Sequence, residues 1–271
     1  MVKIAGILNM TPDSFSDGAL FSGSGACVAA VARGVELHQQ GADWVDVGGE
    51  STRPGAEAVS VAEECRRVLP IVERLVEKGV PVSIDTTKPE VARLALAAGA
   101  VVVNDVNGLQ AVGMMETIAQ AGAGAVIMHR RGTPKTMQAN THYKDLLDEV
   151  CGFLATQLAA ARAAGIGEIW LDPGIGFGKS VAQNCHLIAS VPRLAALGAP
   201  VYIGASRKSF IGAITGESSP SARVAGSLGA ALAAIQAGAQ VLRVHDVAET
   251  VATIKVWEAV IQNGHHPWVN P

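Results

Sequence analysis

The chain has 271 residues, of which 49% are hydrophobic and 17% charged, with a formal net charge of −3 and a mean hydropathy of +0.30. These values suit a large core of short apolar strands and small-residue helices, and they exclude a globally basic nucleic-acid binder. No apolar stretch reaches the length of a membrane span, and the opening MVKIAGILNM is broken by Asn9 too early for a signal segment. A cytoplasmic location is therefore expected.

Short β-branched runs recur along the chain, each followed by a longer helical pattern. The first, KIAGIL, ends at Asn9 and opens a long loop, NMTPDSFSDG. The second, DWVDV, contains Asp46 and leads through GGESTRPGA into the amphipathic stretch VAEECRRVLPIVERLVEKG. PVSI runs into Asp85, and VVVN delivers Asn104 with Asp105. GAVIM ends at Met128 and His129, before another long loop over 130–144 and a helix closing on Gly165 as its C-cap. EIWL meets Asp172, PVYIG precedes Ser206, Arg207, Lys208 and Ser209, and QVLRV brings Arg243 and then His245.

Strand then helix, eight times over with right-handed crossovers, closes most economically as a (β/α)8 TIM barrel of α/β class. An open doubly wound sheet is the alternative, but it normally carries a glycine-rich phosphate turn after its first strand, where this chain has NMTPDSFSDG. With no Pro/Ser-rich or charged linker, residues 1–271 are expected to form one domain. In a barrel all strand C-termini share one face, where active sites are built. A polar residue at one strand end is commonly a helix cap. Polar residues at nearly every end, with Asp85 and Asp172 closing apolar runs, point instead to a site, since a buried carboxylate without partners is costly. The loops over 10–24, 49–60 and 130–144 exceed ordinary strand-to-helix connections and are expected to act as lids.

The segment LDPGIGFGKS resembles a phosphate loop without being one. Pro173 stands where the P-loop needs its first glycine, and Lys179 stands where a dinucleotide fingerprint needs its third. Lys179 is expected to be a solvated lysine at a helix start. Cys27, Cys65, Cys151 and Cys185 show no CxxC spacing and fall in helical stretches, so buried or partly buried free thiols are expected.

Taken together, GILNMTPDSFSDG, DVGGESTRPGA, SIDTTKPEVA, NDVNG, MHRRGTPKTMQ, LDPGIGFGKS, IGASRKSFIG and RVHDV closely resemble the dihydropteroate synthase family of pterin-binding barrels, over almost the whole chain. The resemblance implies a transferase joining 6-hydroxymethyl-7,8-dihydropterin pyrophosphate to p-aminobenzoate, with release of pyrophosphate, Mg²⁺ assistance and a homodimer. It implies a pterin pocket made of Asp85, Asn104, Asp172 and Lys208 with apolar walls from Met128 and Phe177, and Mg²⁺ on Asn9. Carboxylates and amides on rigid strands suit the donor and acceptor edge of such a heterocycle.

Arg243 and His245, two apart on the eighth strand, would share a side and meet the pyrophosphate. Phe15 and Pro54 would flank the p-aminobenzoate ring, Thr52, Arg53 and Ser209 would take polar ends of the ligands, and Asp17 would contact the amine or order its loop. Two departures from the family stand out: Arg130 and Arg131, expected to be solvated, and Ala19 where a glycine pair is common. The alternatives are a methyltetrahydrofolate-dependent corrinoid methyltransferase of related barrel type and a non-catalytic barrel. Neither needs the first two loops or the strand-eight Arg and His.

Overall fold

The computed structural model describes residues 2–10, 24–51, 55–132, 136–137 and 141–263. All eight runs are strands: β1 (Lys3–Asn9), β2 (Trp44–Gly48), β3 (Val82–Asp85), β4 (Val102–Asp105), β5 (Gly124–Met128), β6 (Ile169–Asp172), β7 (Tyr202–Ile203) and β8 (Val241–Val244). They pair in parallel, in the order β6-β5-β4-β3-β2-β1-β8-β7. The two ends of that order meet at a parallel bridge between Leu171 and Val201, where the Leu171 N–H donates to the Pro200 carbonyl at 2.9 Å. Sequential neighbours all the way round, with the ends joined, make a barrel; a doubly wound sheet reverses its order and keeps two edges.

The helices are α1 (Ser24–Gln39), α2 (Val61–Glu77), α3 (Pro89–Ala97), α4 (Met114–Gln120), α5 (Leu146–Ala163), α6 (Val181–Ala189), α7 (Val191–Ala195), α8 (Ser209–Thr215), α9 (Val224–Gln236) and α10 (Val247–Asn263). Local chemistry starts them. Ser60 caps α2 by accepting the Glu63 N–H at 3.2 Å, with Glu63 and Glu64 in the first turn where the helix dipole favours acids. Ser180 and Gln183 close a reciprocal capping box on α6, and Asp145 accepts the Asp148 N–H at 2.9 Å to open α5. The return turns rely on glycine at positive φ, as at Gly99 (φ 101°) before β4.

The period of two along each strand sorts the side chains. Val45, Val47, Ile84, Val103, Ile127 and Leu171 face outward and join the helices in one apolar core. Inside the barrel, Ala5, Trp44, Val102, Val126, Trp170, Tyr202 and Val241 form a separate buried layer, with the two tryptophan rings 5.3 Å apart. That layer plugs the barrel. Two residues further along the same strands the inward positions become Asp46, Asn104, Met128, Asp172, Gly204 and Arg243. One step of the pleat thus separates an apolar floor from a polar mouth.

No helix among the described residues is long and apolar enough to cross a membrane. All four cysteines are free and lie in helices, as expected; Cys185, however, is exposed.

Candidate active site at the C-terminal mouth of the barrel

Asp46 sits at the centre of the mouth and is fully buried. Its Oδ2 accepts from Asn104 Nδ2 at 3.0 Å and from Arg243 Nε at 2.6 Å. Arg243 Nη2 donates to Asp85 Oδ2 at 2.6 Å, so one guanidinium spans two carboxylates. Burial works against its charge, but Asp46 and Asp85 outweigh burial and hold it firmly protonated. Burial pushes the Asp85 carboxyl up to about 7, against the pull of Arg243 and with the repulsion of Asp46. Because Asn104 Nδ2 is committed to Asp46, its Oδ1 remains to accept from a ligand.

Across the mouth, Asp172 is buried, and its Oδ1 accepts the Gly174 N–H at 2.7 Å. Burial raises its pKa, with Lys208 and the Gly174 N–H drawing it back. Lys208 runs its stem along Gly176, where an added Cβ would lie 3.0 Å from Lys208 Cδ. Its Nζ donates to the Ile175 carbonyl and lies 4.6 Å from the centre of the Phe177 ring. Burial pushes this ammonium down to about 8. A Cβ built on Gly204 would be 3.8 Å from both Asp172 Oδ2 and Lys208 Nζ, so the two charged groups converge over that glycine. Met128, the register partner of Asp172, is buried beside it.

The group Ser206 to Ser209 divides. His245 Nδ1 lies 3.1 Å from Ser206 Oγ, and the His245 N–H donates to the same oxygen at 3.2 Å, which ties the ends of β7 and β8 together. Arg207, at φ 58°, turns away to an ion pair with Asp246, its Nε 3.0 Å from Oδ2. Ser209 is exposed at the first position of α8. Arg243 lies inward as the strand alternation requires, but it is committed to Asp46 and Asp85, and only Nη1 makes no hydrogen bond among the described residues.

Three expectations need correction. Lys179 is buried rather than solvated: it donates to the carbonyls of Gly174 and Phe177, each at 3.0 Å, and its Nζ is 3.1 Å from His129 Nδ1. The glycine turn 174–178 points its carbonyls inward and the lysine stem reaches back to meet them, a closure that a helix-start pattern cannot reveal. Burial pushes Lys179 down to about 7 and His129 to about 3. Arg130 and Arg131 are structural ties: Arg130 donates to Asn107 Oδ1 at 3.1 Å, while Arg131 stacks 3.8 Å from the Tyr143 ring centre and bonds Glu149 and the His142 carbonyl. Asp105 points away from the mouth beside its inward neighbour Asn104, accepting the N–H groups of Asn107 and Leu109 at 2.7 and 2.9 Å.

Phe15, Asp17, Ala19, Thr52, Arg53 and Pro54 lie outside the described residues. Asp46 is a residue of the mouth that went unassigned from sequence: it was visible as a strand-end acid, and only its contacts with Asn104 and Arg243 give it a place in the network. Among the described residues no group of three His, Cys, Asp or Glu could hold a metal. Asn9 nonetheless suits a hard cation that keeps water and phosphate ligands. A Cβ on Gly48 would lie 3.5 Å from Asn9 Oδ1 and 3.6 Å from Asp85 Oδ2, so two oxygen donors border one small space.

Comparison with known proteins agrees with this fold. The family described as pterin binding enzyme matches residues 5–245. The dihydropteroate synthase of Neisseria meningitidis serogroup B is 47% identical over 265 residues, covering 95% of this chain and 92% of that protein. The Xanthomonas albilineans dihydropteroate synthase with 4-aminobenzoic acid superimposes with a TM-score of 0.89 at 50% identity, covering 96% of this chain and 93% of that one. The same enzyme in complex with 7,8-dihydropteroate gives 0.86 at 47% identity, covering 96% and 94%.

Proposed function

The chain belongs to the pterin-binding enzyme family, among its dihydropteroate synthases, and we propose that it joins 6-hydroxymethyl-7,8-dihydropterin pyrophosphate to p-aminobenzoate, releasing pyrophosphate. One observation carries this: Asp85, Asn104, Asp172 and Lys208, from four separate strand ends, line a single mouth above an apolar floor. Complexes of similar enzymes with 4-aminobenzoic acid and with 7,8-dihydropteroate support the choice of ligands.

Asp172, Asn104 Oδ1 and Asp85 offer acceptors to the donor edge of the pterin, while Lys208 donates to a ring carbonyl or nitrogen and covers Phe177. Met128 and Phe177 are apolar walls. Arg243 Nη1 and His245, the latter oriented by Ser206, are the donors for the diphosphate. The C–O bond to the exocyclic methylene breaks first, its electron pair leaving with pyrophosphate; the aniline nitrogen then attacks the carbon and gives up one proton to the released pyrophosphate or water. No protein nucleophile is required, and no cysteine ends a strand.

Mg²⁺ held by Asn9, the substrate phosphates and water would neutralise charge on the leaving group. Phe15 and Pro54 are assigned to the p-aminobenzoate ring, Thr52, Arg53 and Ser209 to polar ends, and Asp17 to the amine, all from the family resemblance. One domain over 1–271, a cytoplasmic homodimer, belongs to the same proposal.

Pyrophosphate release by the pure protein, given the pterin substrate, p-aminobenzoate and Mg²⁺, tests it. Release that requires both substrates and the ion is the expected result. No release overturns the proposal, and methyl transfer from methyltetrahydrofolate to a corrinoid would favour the related methyltransferase. Asp172→Ala is expected to weaken binding of a pterin lacking pyrophosphate, whereas Arg243→Ala should impair the pyrophosphate substrate more than such a pterin and should also lower stability, because Asp46 and Asp85 lose the cation they share.

A further inference from the structure

We propose that Lys179 is a positioning residue for pterin recognition, its buried amine gathering the carbonyls of the glycine turn 174–178 and fixing the Asp172 carboxylate through the Gly174 peptide. Gly174 is held at both ends: its carbonyl accepts from Lys179 Nζ at 3.0 Å, and its N–H donates to Asp172 Oδ1 at 2.7 Å. Around Nζ stand the Gly174 and Phe177 carbonyls at 3.0 Å, His129 Nδ1 at 3.1 Å and the His129 carbonyl at 3.4 Å. Carbonyl acceptors on three sides take the three protons of an ammonium, and they work against the burial that pushes this amine down to about 7. The lysine is thus tethered at the centre of the turn through the N–H groups it donates.

Other bonds shape the turn as well: the Phe177 N–H donates to the Gly174 carbonyl at 3.1 Å, the Gly176 N–H to Asn184 Oδ1 at 2.7 Å and the Tyr143 hydroxyl to the Gly178 carbonyl at 3.0 Å. Of the side chains among these ties, only that of Lys179 reaches the Gly174 carbonyl that lies next to the Asp172 contact. Gly174 (φ 72°), Gly176 (φ 84°) and Gly178 (φ 63°) are each left-handed, and a Cβ on Gly174 would overlap the His129 carbonyl oxygen. Glycines adopt such a path readily, and for the same reason they leave it readily. Lys179 is not needed to start α6, because Ser180 and Gln183 already cap that helix. Its burial is accounted for by the carbonyls it collects beneath the carboxylate.

The proposal rests on Asp172 as the pterin-edge carboxylate. The test is calorimetric binding of a pterin lacking pyrophosphate to the full chain, with Lys179→Met compared with Leu158→Ala, which loses core packing in the second half of α5. We expect at least tenfold weaker binding for K179M at a temperature where it is folded, and unchanged binding for L158A. Unchanged binding in K179M, or equal weakening in both, overturns the proposal. Lys179→Ala is then measured in ammonium chloride and in sodium chloride of the same ionic strength. Ammonium should restore folding and part of the pterin affinity by occupying the vacated carbonyl cage. Failure to restore either overturns the proposal. Wild-type protein that fails to bind pterin would sink the functional assignment itself, whereas wild-type binding with an indifferent K179M sinks only the role of Lys179.

Discussion

Asp46 shows how much a single carboxylate can organise: with two donors on one oxygen, it sets which way the Asn104 amide faces and holds one edge of Arg243. Removing one partner from a buried charged network leaves the other uncompensated. Asp46→Ala should therefore cost about 3 kcal/mol of stability by urea unfolding, together with a loss of pterin affinity, because Asn104 is freed to rotate.

His129 gives a second prediction, in pH. Burial holds its folded pKa at about 3 against an ordinary 6.5. Between those values the unfolded chain binds a proton that the folded chain refuses, so its contribution is present above pH 6.5 and is lost as pH falls toward 3, at up to about 1.4 kcal/mol per pH unit. Asp105, pushed by burial up to about 6, acts with opposite sign, gaining stability as pH falls below 6. The variant His129→Asn isolates the histidine: its unfolding free energy should decline less than that of the wild type between pH 7 and pH 5. Neither Asp46 nor His129 had a role legible in sequence, because hydrogen-bond partners 58 and 50 residues away cannot be inferred from local pattern.

At the scale of the element, the strand ends were legible and the turns were not. The sequence put Asp85, Asn104 and Asp172 at strand ends and used alternation for Arg243; in the fold all four face inward, as the pleat requires once their apolar neighbours face the helices. The five-residue run PVYIG shortened to Tyr202–Ile203, with Val201 left as the bridge that closes the barrel. The glycine turn after β6 looked like a ligand loop with a solvated lysine, and instead folds around that lysine. Gly174→Ala would place a Cβ against the His129 carbonyl, whereas Gly113→Ala, also left-handed at φ 87°, meets nothing within 4 Å. Both changes should cost the roughly 1 kcal/mol of left-handed backbone strain. Only Gly174→Ala should go well beyond it in thermal unfolding, and only Gly174→Ala should weaken pterin binding.

For the whole molecule, the floor of the barrel supports the mouth. Trp170 packs 5.3 Å from Trp44 and closely over Gly124, where an added Cβ would come within 2.8 Å of its ring. Two residues on along the same strand stands Asp172. Trp170→Ala should cost about 3 to 5 kcal/mol in chemical denaturation, and the variant that remains folded should bind pterin more weakly, because the strand carrying Asp172 loses the layer beneath it. Normal pterin affinity in a folded Trp170→Ala protein would uncouple floor from mouth.

The amino-acid sequence by itself determined the eight strands and the polar chemistry at their ends, because β-branched apolar runs and the cost of leaving apolar groups in water are local and repetitive. Only the closed barrel decided which of those groups meet: that Arg243 is shared by Asp46 and Asp85, that Asp105 leaves the site its neighbour enters, and that Lys179 is enclosed. Such contacts join segments far apart in the chain, and their geometry exists only once β1 pairs with β8 and the bridge between Leu171 and Val201 joins β6 to β7 to close the ring.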